Sequence, residues 1–522
     1  MTGDRLQMLI AMCAYMILVI FIGLYYAKRA NKSSKHFFLG GRTIGPWVTA
    51  LSAEASDMSG WLLMGLPGVA YWFGFSDAIW TAIGLALGTY INWLFVAKRL
   101  RSYSVISGDS ITIPDFLSNR FKEKRKVIMT IAALFILVFF TVYASSCFVT
   151  VGKLFSALFG INYRLMMIIG AIFVLFYVII GGFLAESASD FMQSVVMIFA
   201  LVLTLTIGTI SAGGMSNVVS NIRKIPGFFE FFGIATPVVE NGVQKLSEAG
   251  QPLFGQAASY GFLTVISTMS WGLGYFGMPH VLLRFMAIRD LDELDKSRKI
   301  GTIWCVISLV SAVFIGLVGR TLYPNALLTQ SDAESIFVLM SSNLLPPLIG
   351  GIVMSGILAA TISSSDSYLL IATSAAAKNI YGGIIKKDAS DKEIMIVSRI
   401  ILLLIAIVGI IIALDENSVI FVVVSFAWAG FGATFGPIML FSLFWKRTTR
   451  SGAIAGMIAG GSMVFIWKFL VKPLGGVFGI YELMPAFIFS CIVIVIVSLL
   501  SEKPSSDIMI EFERARKYKL EA

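Results

Sequence analysis

Two acids, Glu54 and Asp57, stand inside the stretch ALSAEASDMSGWLLMGLPG (residues 50–68), at the centre of an otherwise apolar segment long enough to cross a membrane. An ionised carboxylate near the middle of a bilayer costs about 2.5 to more than about 10 kcal/mol, so an acid kept there points to function. Ser52, Ser56, Ser59 and Gly60 beside them weaken the helix. Irregular backbone at membrane depth is tolerated where it lines a cavity or is buried in protein. The expectation is a broken helix whose freed carbonyls and amides form a binding site. Asp57 is the acid expected to serve it; no partner or role is assigned to Glu54.

A second constellation is GILAATISSSDS, where Ala360, Ser363 and Ser364 fall at i, i+3 and i+4 and put one carbonyl and two hydroxyls on one helix face. Hard cations take several oxygen ligands, so these groups suit Na⁺ once the carbonyls released at the break are added. Serines also fill helix crossings or bond back to their own helix. Trp61, Tyr143, Trp271 and Tyr275 fall near mid-span; they are compatible with a pocket for a small organic solute and with ordinary core packing. Asp190, in GGFLAESASDFMQ, is placed either to cap a helix or to support a cation path. Arg42, in LGGR just before the second segment, reads as one of the basic residues of an inner loop. His36 and His280 are isolated in sequence, and the four cysteines lie singly in apolar runs, which suggests packing rather than disulfides or metal ligands.

The elements that must hold these residues are membrane helices. The chain has 522 residues, 57% of them hydrophobic and 13% charged, against roughly 25% charged in soluble domains. About 20 apolar residues per span gives thirteen segments: 6–27, 45–72, 76–97, 125–158, 162–184, 189–213, 257–285, 299–320, 345–380, 395–415, 418–445, 452–471 and 480–501. The first is too long for a signal-peptide core and has no basic flank before it, so it is expected to be retained. With the N-terminus outside and the C-terminus in the cytoplasm, 31 of the 40 lysines and arginines fall on the inner side, the asymmetry expected of a multi-pass cell-membrane protein. This distribution accounts for the net charge of +10 without a nucleic-acid partner.

Segments two to six and seven to eleven form two sets of five. The odd number forces them into opposite orientations, and each set opens on an interrupted helix, SAEASDMSG and SWGLGYFGMP. Such a pair is the sequence mark of a transporter site at the midplane, although glycine-rich packing faces give a similar pattern. The division that follows is 1–44 for an extra helix and loop, 45–213 for the first repeat, 214–258 for an outer loop, 259–446 for the second repeat, 447–501 for two further helices and 502–522 for a tail. The outer loop reads either as a lid or as a tolerated surface insertion. There is no GxxxxGK[ST] sequence and no nucleophile constellation, so the reading is a transporter driven by an ion gradient and not an enzyme.

Nearly the whole chain resembles the sodium:solute symporter family, in particular its proline-transporting branch. The matching motifs are LGGR (39–42), SDMSGWLLMGLPG (56–68), FFTVYASS (139–146), GGFLA (181–185), WGLGYFG (271–277) followed by PH and RFMA, WAGFGATFGP (428–437) and WKRTTRSGAIAGMIAGG (445–461). The resemblance implies an all-helical, leucine-transporter-like fold with a five-plus-five inverted repeat, one helix before it and two after. It implies a sodium site at the carbonyls of Ala55, Met58 and Ala360 and the hydroxyls of Ser363 and Ser364. It further implies that Asp57 governs sodium affinity, that Asp190 is a second acid near the ion and that Arg42 takes part in coupling. L-proline would lie among Trp61, Tyr143, Trp271 and Tyr275, beside Ser59 and Gly60. The departures are Met278 in place of Gln, Ser364 in place of Thr, ESASD in place of VSWTD and a longer outer insert. They leave room for another amino acid or an osmolyte as the solute. A transporter-like sensor is the remaining alternative, disfavoured by the short tail.

Overall fold

The computed structural model describes residues 3–30 and 34–517. Among them, ten helices are long and apolar enough to cross a membrane: Gly3–Tyr26, Phe75–Ile106, Val127–Phe159, Gly182–Ser211, Leu294–Leu322, Pro347–Ile385, Asp391–Ile412, Ile420–Phe444, Arg450–Leu474 and Leu483–Leu500. The three expected segments absent from this set, 45–72, 162–184 and 257–285, are present as shorter pieces. Two of these three are the segments expected to be interrupted.

The first interruption follows the helix Pro46–Asp57. Met58 leaves helical geometry at φ −85°, ψ 74°, and the chain resumes at Trp61–Gly65 as a wide π-turn before the helix Leu66–Phe73. Pro67, which has no amide hydrogen to give, sits at the start of that last piece. The second interruption separates Phe262–Met269 from Pro279–Ala287. Between them Ser270–Phe276 is a 3-10 turn, and Met278 is extended at φ −74°, ψ 107°, as a residue before proline prefers. The glycines of this stretch serve close approach more than backbone freedom. A Cβ on Gly272 would fall on the backbone of Gly84, and one on Gly274 would fall on the Trp428 indole. The third break is at Gly182, whose φ of 58° and ψ of −176° lie outside helical geometry. That places the division between the fifth and sixth segments a few residues before the stretch 185–188 expected for it.

The helix Pro347–Ile385 forms the centre. Of its most apolar window 83% is buried, and it packs against Gly182–Ser211, Val127–Phe159 and the first helix. On one face, the 214–258 insert folds as a helix, Met215–Ile222, and two short antiparallel ladders pairing Gly233–Ile234 with Ala258–Ser259 and Val239–Glu240 with Val243–Gln244. It is docked rather than free. The Phe75 amide donates to Phe228 O at 2.8 Å and the Gln244 amide to Leu328 O at 2.7 Å. The Arg320 guanidinium lies between the rings of Tyr71 and Phe254, 4.9 and 4.7 Å from their centroids. At the C-terminal end the helix Ser506–Lys517 buries Phe512, which packs near Arg99 and Arg120 at 5.0 and 5.3 Å.

Candidate functional site

The Pro46–Asp57 helix ends with its last turn against the central helix, and the Ala55 carbonyl is where the two meet. Ser363 Oγ donates to Ala55 O at 2.8 Å, Ser364 Oγ reaches the same oxygen at 3.4 Å, and Ser363 Oγ also lies 3.2 Å from Ala360 O. Two hydroxyls and two carbonyls are thus gathered in one buried place. Met58 stands at the break itself, its amide donating to Glu54 O at 2.9 Å. This group of uncharged oxygens has the chemistry a hard cation requires. No group of three or more His, Cys, Asp or Glu side chains able to hold a metal occurs among the described residues.

One turn away, Asp57 is a point of convergence. Its carboxylate accepts from Tyr275 Oη at 2.7 Å and lies 3.4 Å from His280 Nε2. Its carbonyl accepts from Trp61 Nε1 at 3.2 Å and lies 3.5 Å from Tyr143 Oη. Three of the four aromatics expected at the pocket therefore gather on one residue. The fourth, Trp271, is 6.2 Å from Trp61 between ring centroids, stacks on Tyr481 at 5.2 Å, and has its carbonyl bonded by Trp428 Nε1 at 2.8 Å. Ser59 is buried beside Tyr143. Gly60 packs against Thr150 so closely that a Cβ would collide with it.

Asp190 belongs to a second polar cluster. It accepts from Ser52 Oγ at 2.7 Å and from Arg284 Nη2 at 3.2 Å. The same guanidinium nitrogen pairs with Glu186 and donates to Ser367 Oγ at 2.8 Å, while Arg284 Nε donates to Ser52 at 3.0 Å. Ser367 links this cluster to the oxygen site, donating to Ser363 O at 2.9 Å. Asp366 is the neighbouring third acid, with Oδ1 bonded by the Ser367 amide at 2.7 Å.

Arg42 is not among these groups. At φ 60° it clamps the chain just before the first broken helix, donating to Ser110 O at 2.8 Å, pairing with Asp109 at 3.2 Å and bonding the Met286 carbonyl at the end of the second broken helix. Glu54, left without a role by the sequence, accepts from Thr89 Oγ1 at 3.2 Å and Trp93 Nε1 at 3.3 Å. His280, isolated in sequence, is buried against Asp57 between Phe140 and Tyr368; the side chain of His36 lies outside the described residues. Sequence reasoning missed Glu186, Arg284, Asp366 and Ser367. A signal was available, since Glu186 and Asp190 are four residues apart on one face of an apolar segment, with an arginine in the RFMA motif to match them.

These features define a class: a polytopic membrane protein in which two interrupted helices meet a continuous one around buried oxygens, as in secondary transporters. Solved structures place the fold. The substrate-bound outward-open state of a Na⁺-coupled sialic acid symporter aligns with a TM-score of 0.75 at 16% identity, covering 96% of this chain and 99% of that one. A nucleobase-cation-symport-1 family transporter, solved with bromovinylhydantoin bound, aligns with a TM-score of 0.51 at 14% identity, covering 93% and 99%. The sodium:solute symporter family model matches residues 37–460. Sodium/proline symporters of Staphylococcus aureus strains USA300 and NCTC 8325 are each 41% identical over 516 residues, 98% of this chain and 96% of theirs. The chain belongs to the sodium:solute symporter family, and is a transporter rather than an enzyme.

Proposed function

We propose that this protein couples inward movement of Na⁺ to uptake of L-proline across the cell membrane by alternating access. The observation that carries the substrate is the 41% identity, over 98% of the chain, to proteins named sodium/proline symporters. The ten long helices, with the three segments built from shorter pieces, suit thirteen crossings. In this reading they make a five-plus-five inverted repeat with the N-terminus outside and the C-terminus in the cytoplasm.

In this reading Na⁺ is held by the carbonyls of Ala55, Met58 and Ala360 and the hydroxyls of Ser363 and Ser364. The ion replaces the hydroxyl-to-carbonyl bonds that join the first broken helix to the central one and so fixes their relative position. The half-helix ends and aromatic walls of the solute pocket are ordered before the solute arrives, which lowers its ordering cost and makes the two binding events mutually favourable. The solute carboxylate faces the backbone amides near Ser59 and Gly60, and the pyrrolidine ring lies among Trp61, Tyr143, Trp271 and Tyr275. Asp57 couples the two sites, because its carboxylate and carbonyl hold Tyr275 and Trp61. Asp190 acts through Ser52 on the first broken helix, and Arg42 through the inner ends of both broken helices.

The test is uptake of radiolabelled L-proline by purified protein in liposomes under an imposed Na⁺ gradient, an H⁺ gradient or none. Uptake is expected with Na⁺ alone. Equal uptake without sodium overturns the coupling, and sodium-driven uptake of another solute with none of proline overturns the substrate. Met278 is buried at a position where the family resemblance implies a Gln, and this departure is what keeps another small amino acid or osmolyte as the second reading.

A further inference from the structure

The helix Asp391–Ile412 turns one stripe away from the protein: Ile396, Ile400, Leu403 and Ile407 are 48, 54, 48 and 53% exposed. Arg399 stands in this stripe, exposed like its apolar neighbours, eight residues or about 12 Å along the helix from Asp391. It has no hydrogen-bond or ion-pair partner among the described residues. A guanidinium cannot lose its charge, and on a lipid-facing surface it needs an anion or water near the headgroups. The charges at the near end of the helix do not supply the anion. Lys386 is paired with Glu393 at 2.7 Å, and by sequence count the two charges of Lys387 and Lys392 equal those of Asp388 and Asp391. Arg399 is left without a counter-charge among the described residues.

Arg399 borders a groove between this helix, the central helix and Tyr163–Ile179. The groove is shallow and open at the surface, and its walls are apolar, with Val178, Leu370, Met395 and Leu402 among them. Two hydroxyl residues are in its lining, and one of them, Ser398, donates its Oγ to Ile394 O at 2.7 Å. Thr373 lines it, is 3% exposed, and its Oγ1 has no hydrogen-bond partner among the described residues. Apolar walls and a guanidinium at the mouth together match one kind of molecule, a long apolar chain ending in an anion.

We propose that this groove is a binding site for an anionic phospholipid of the phosphatidylglycerol type. One acyl chain lies along Val178, Leu370 and Leu402, and the phosphodiester accepts from the Arg399 guanidinium. A guanidinium offers two parallel N–H donors to a phosphate, and the missing counter-charge favours a lipid of net negative charge over a zwitterionic one. Thr373 is on the same helix as Ser363 and Ser364, so the lipid would brace the element that carries the oxygen site.

The experiment is native mass spectrometry of the full chain, incubated with phosphatidylglycerol or phosphatidylcholine of identical acyl chains. Wild type, Arg399→Gln, Arg399→Lys, Met395→Trp and a remote control, Lys224→Gln, are compared. The expected result is retention of phosphatidylglycerol about tenfold above phosphatidylcholine, the ratio set by a charge-assisted bond. That preference is lost in Arg399→Gln, reduced in Met395→Trp, partly kept in Arg399→Lys and unchanged in Lys224→Gln. Millimolar inorganic phosphate should not displace the lipid; displacement would assign the site to a free anion and overturn the proposal. So would equal retention of the two lipids by wild type, or undiminished preference in Arg399→Gln. Should Arg399→Gln fail to fold, an undiminished preference in Met395→Trp overturns it as well.

Discussion

Tyr275 donates its phenolic hydroxyl to Asp57 Oδ2 at 2.7 Å across 218 residues of sequence, joining the two interrupted helices of the fold through their breaks. The bond ties the residue at the end of one helical piece to the 3-10 turn that precedes the other. Movement of either broken helix must carry the other with it or give up this bond.

Removal of that hydroxyl should therefore act on sodium before it acts on the solute. Tyr275→Phe keeps the ring and deletes a hydrogen bond to a carboxylate, worth about 1.5–3 kcal/mol. The expected outcome is a rise of tenfold or more, to order of magnitude, in the Na⁺ concentration giving half-maximal uptake at saturating proline. Asp57→Asn should reproduce the shift. An unaltered sodium dependence in both variants would take this pair out of the coupling.

The serine pair offers a graded test. Ser364→Thr retains the hydroxyl, Ser364→Ala removes one ligand, and Ser363→Ala removes the hydroxyl that bonds Ala55 O at 2.8 Å. Sodium affinity, read by the sodium dependence of proline binding, should follow the order Thr, close to wild type, then Ala at either position. A loss of proline affinity at saturating sodium, with unchanged sodium affinity, would place these serines at the solute instead.

Glu54 separates structure from coupling. Its Oε1 accepts from Thr89 and Trp93 of the following helix, so Glu54→Gln, which keeps an acceptor oxygen, should transport with normal sodium dependence. Glu54→Ala leaves the buried indole N–H and hydroxyl without their acceptor and should lower stability by about 1–3 kcal/mol. Thermal unfolding in detergent measures the second effect, and liposome uptake the first. A shifted sodium dependence in Glu54→Gln would move this acid into the coupling machinery.

Arg284 is buried with Glu186, Asp190, Ser52 and Ser367 around it. Truncating one partner of a buried ion pair leaves an uncompensated charge and costs about 3–5 kcal/mol. Arg284→Met alone should fold poorly, and adding Glu186→Gln and Asp190→Asn should recover much of the folded yield seen by size-exclusion chromatography. Folding of the single variant as efficient as wild type would show that the cluster is not charge-balanced through this arginine.

Much of the plan was legible because membrane helices obey a simple length rule and because polar residues are costly inside them. The serines and glycine around Glu54 and Asp57 announced the first break and the glycine-interrupted SWGLGYFGMP the second, while the i, i+3, i+4 pattern put Ala360, Ser363 and Ser364 on one face. Local sequence determines these features, since each depends on residues within one or two turns. What only the tertiary structure decided is which groups meet. Tyr143, Trp61 and Tyr275 converge on Asp57, Arg284 draws in Glu186 and Asp190, Glu54 finds Thr89 and Trp93, and Arg42 stands apart as a clamp between the start of the first broken helix and the end of the second. The physical reason is that a buried donor or charge accepts any partner of the right chemistry within hydrogen-bond reach. Periodicity fixes which face of a helix a side chain occupies, whereas the packing of helices far apart in the chain fixes what lies opposite.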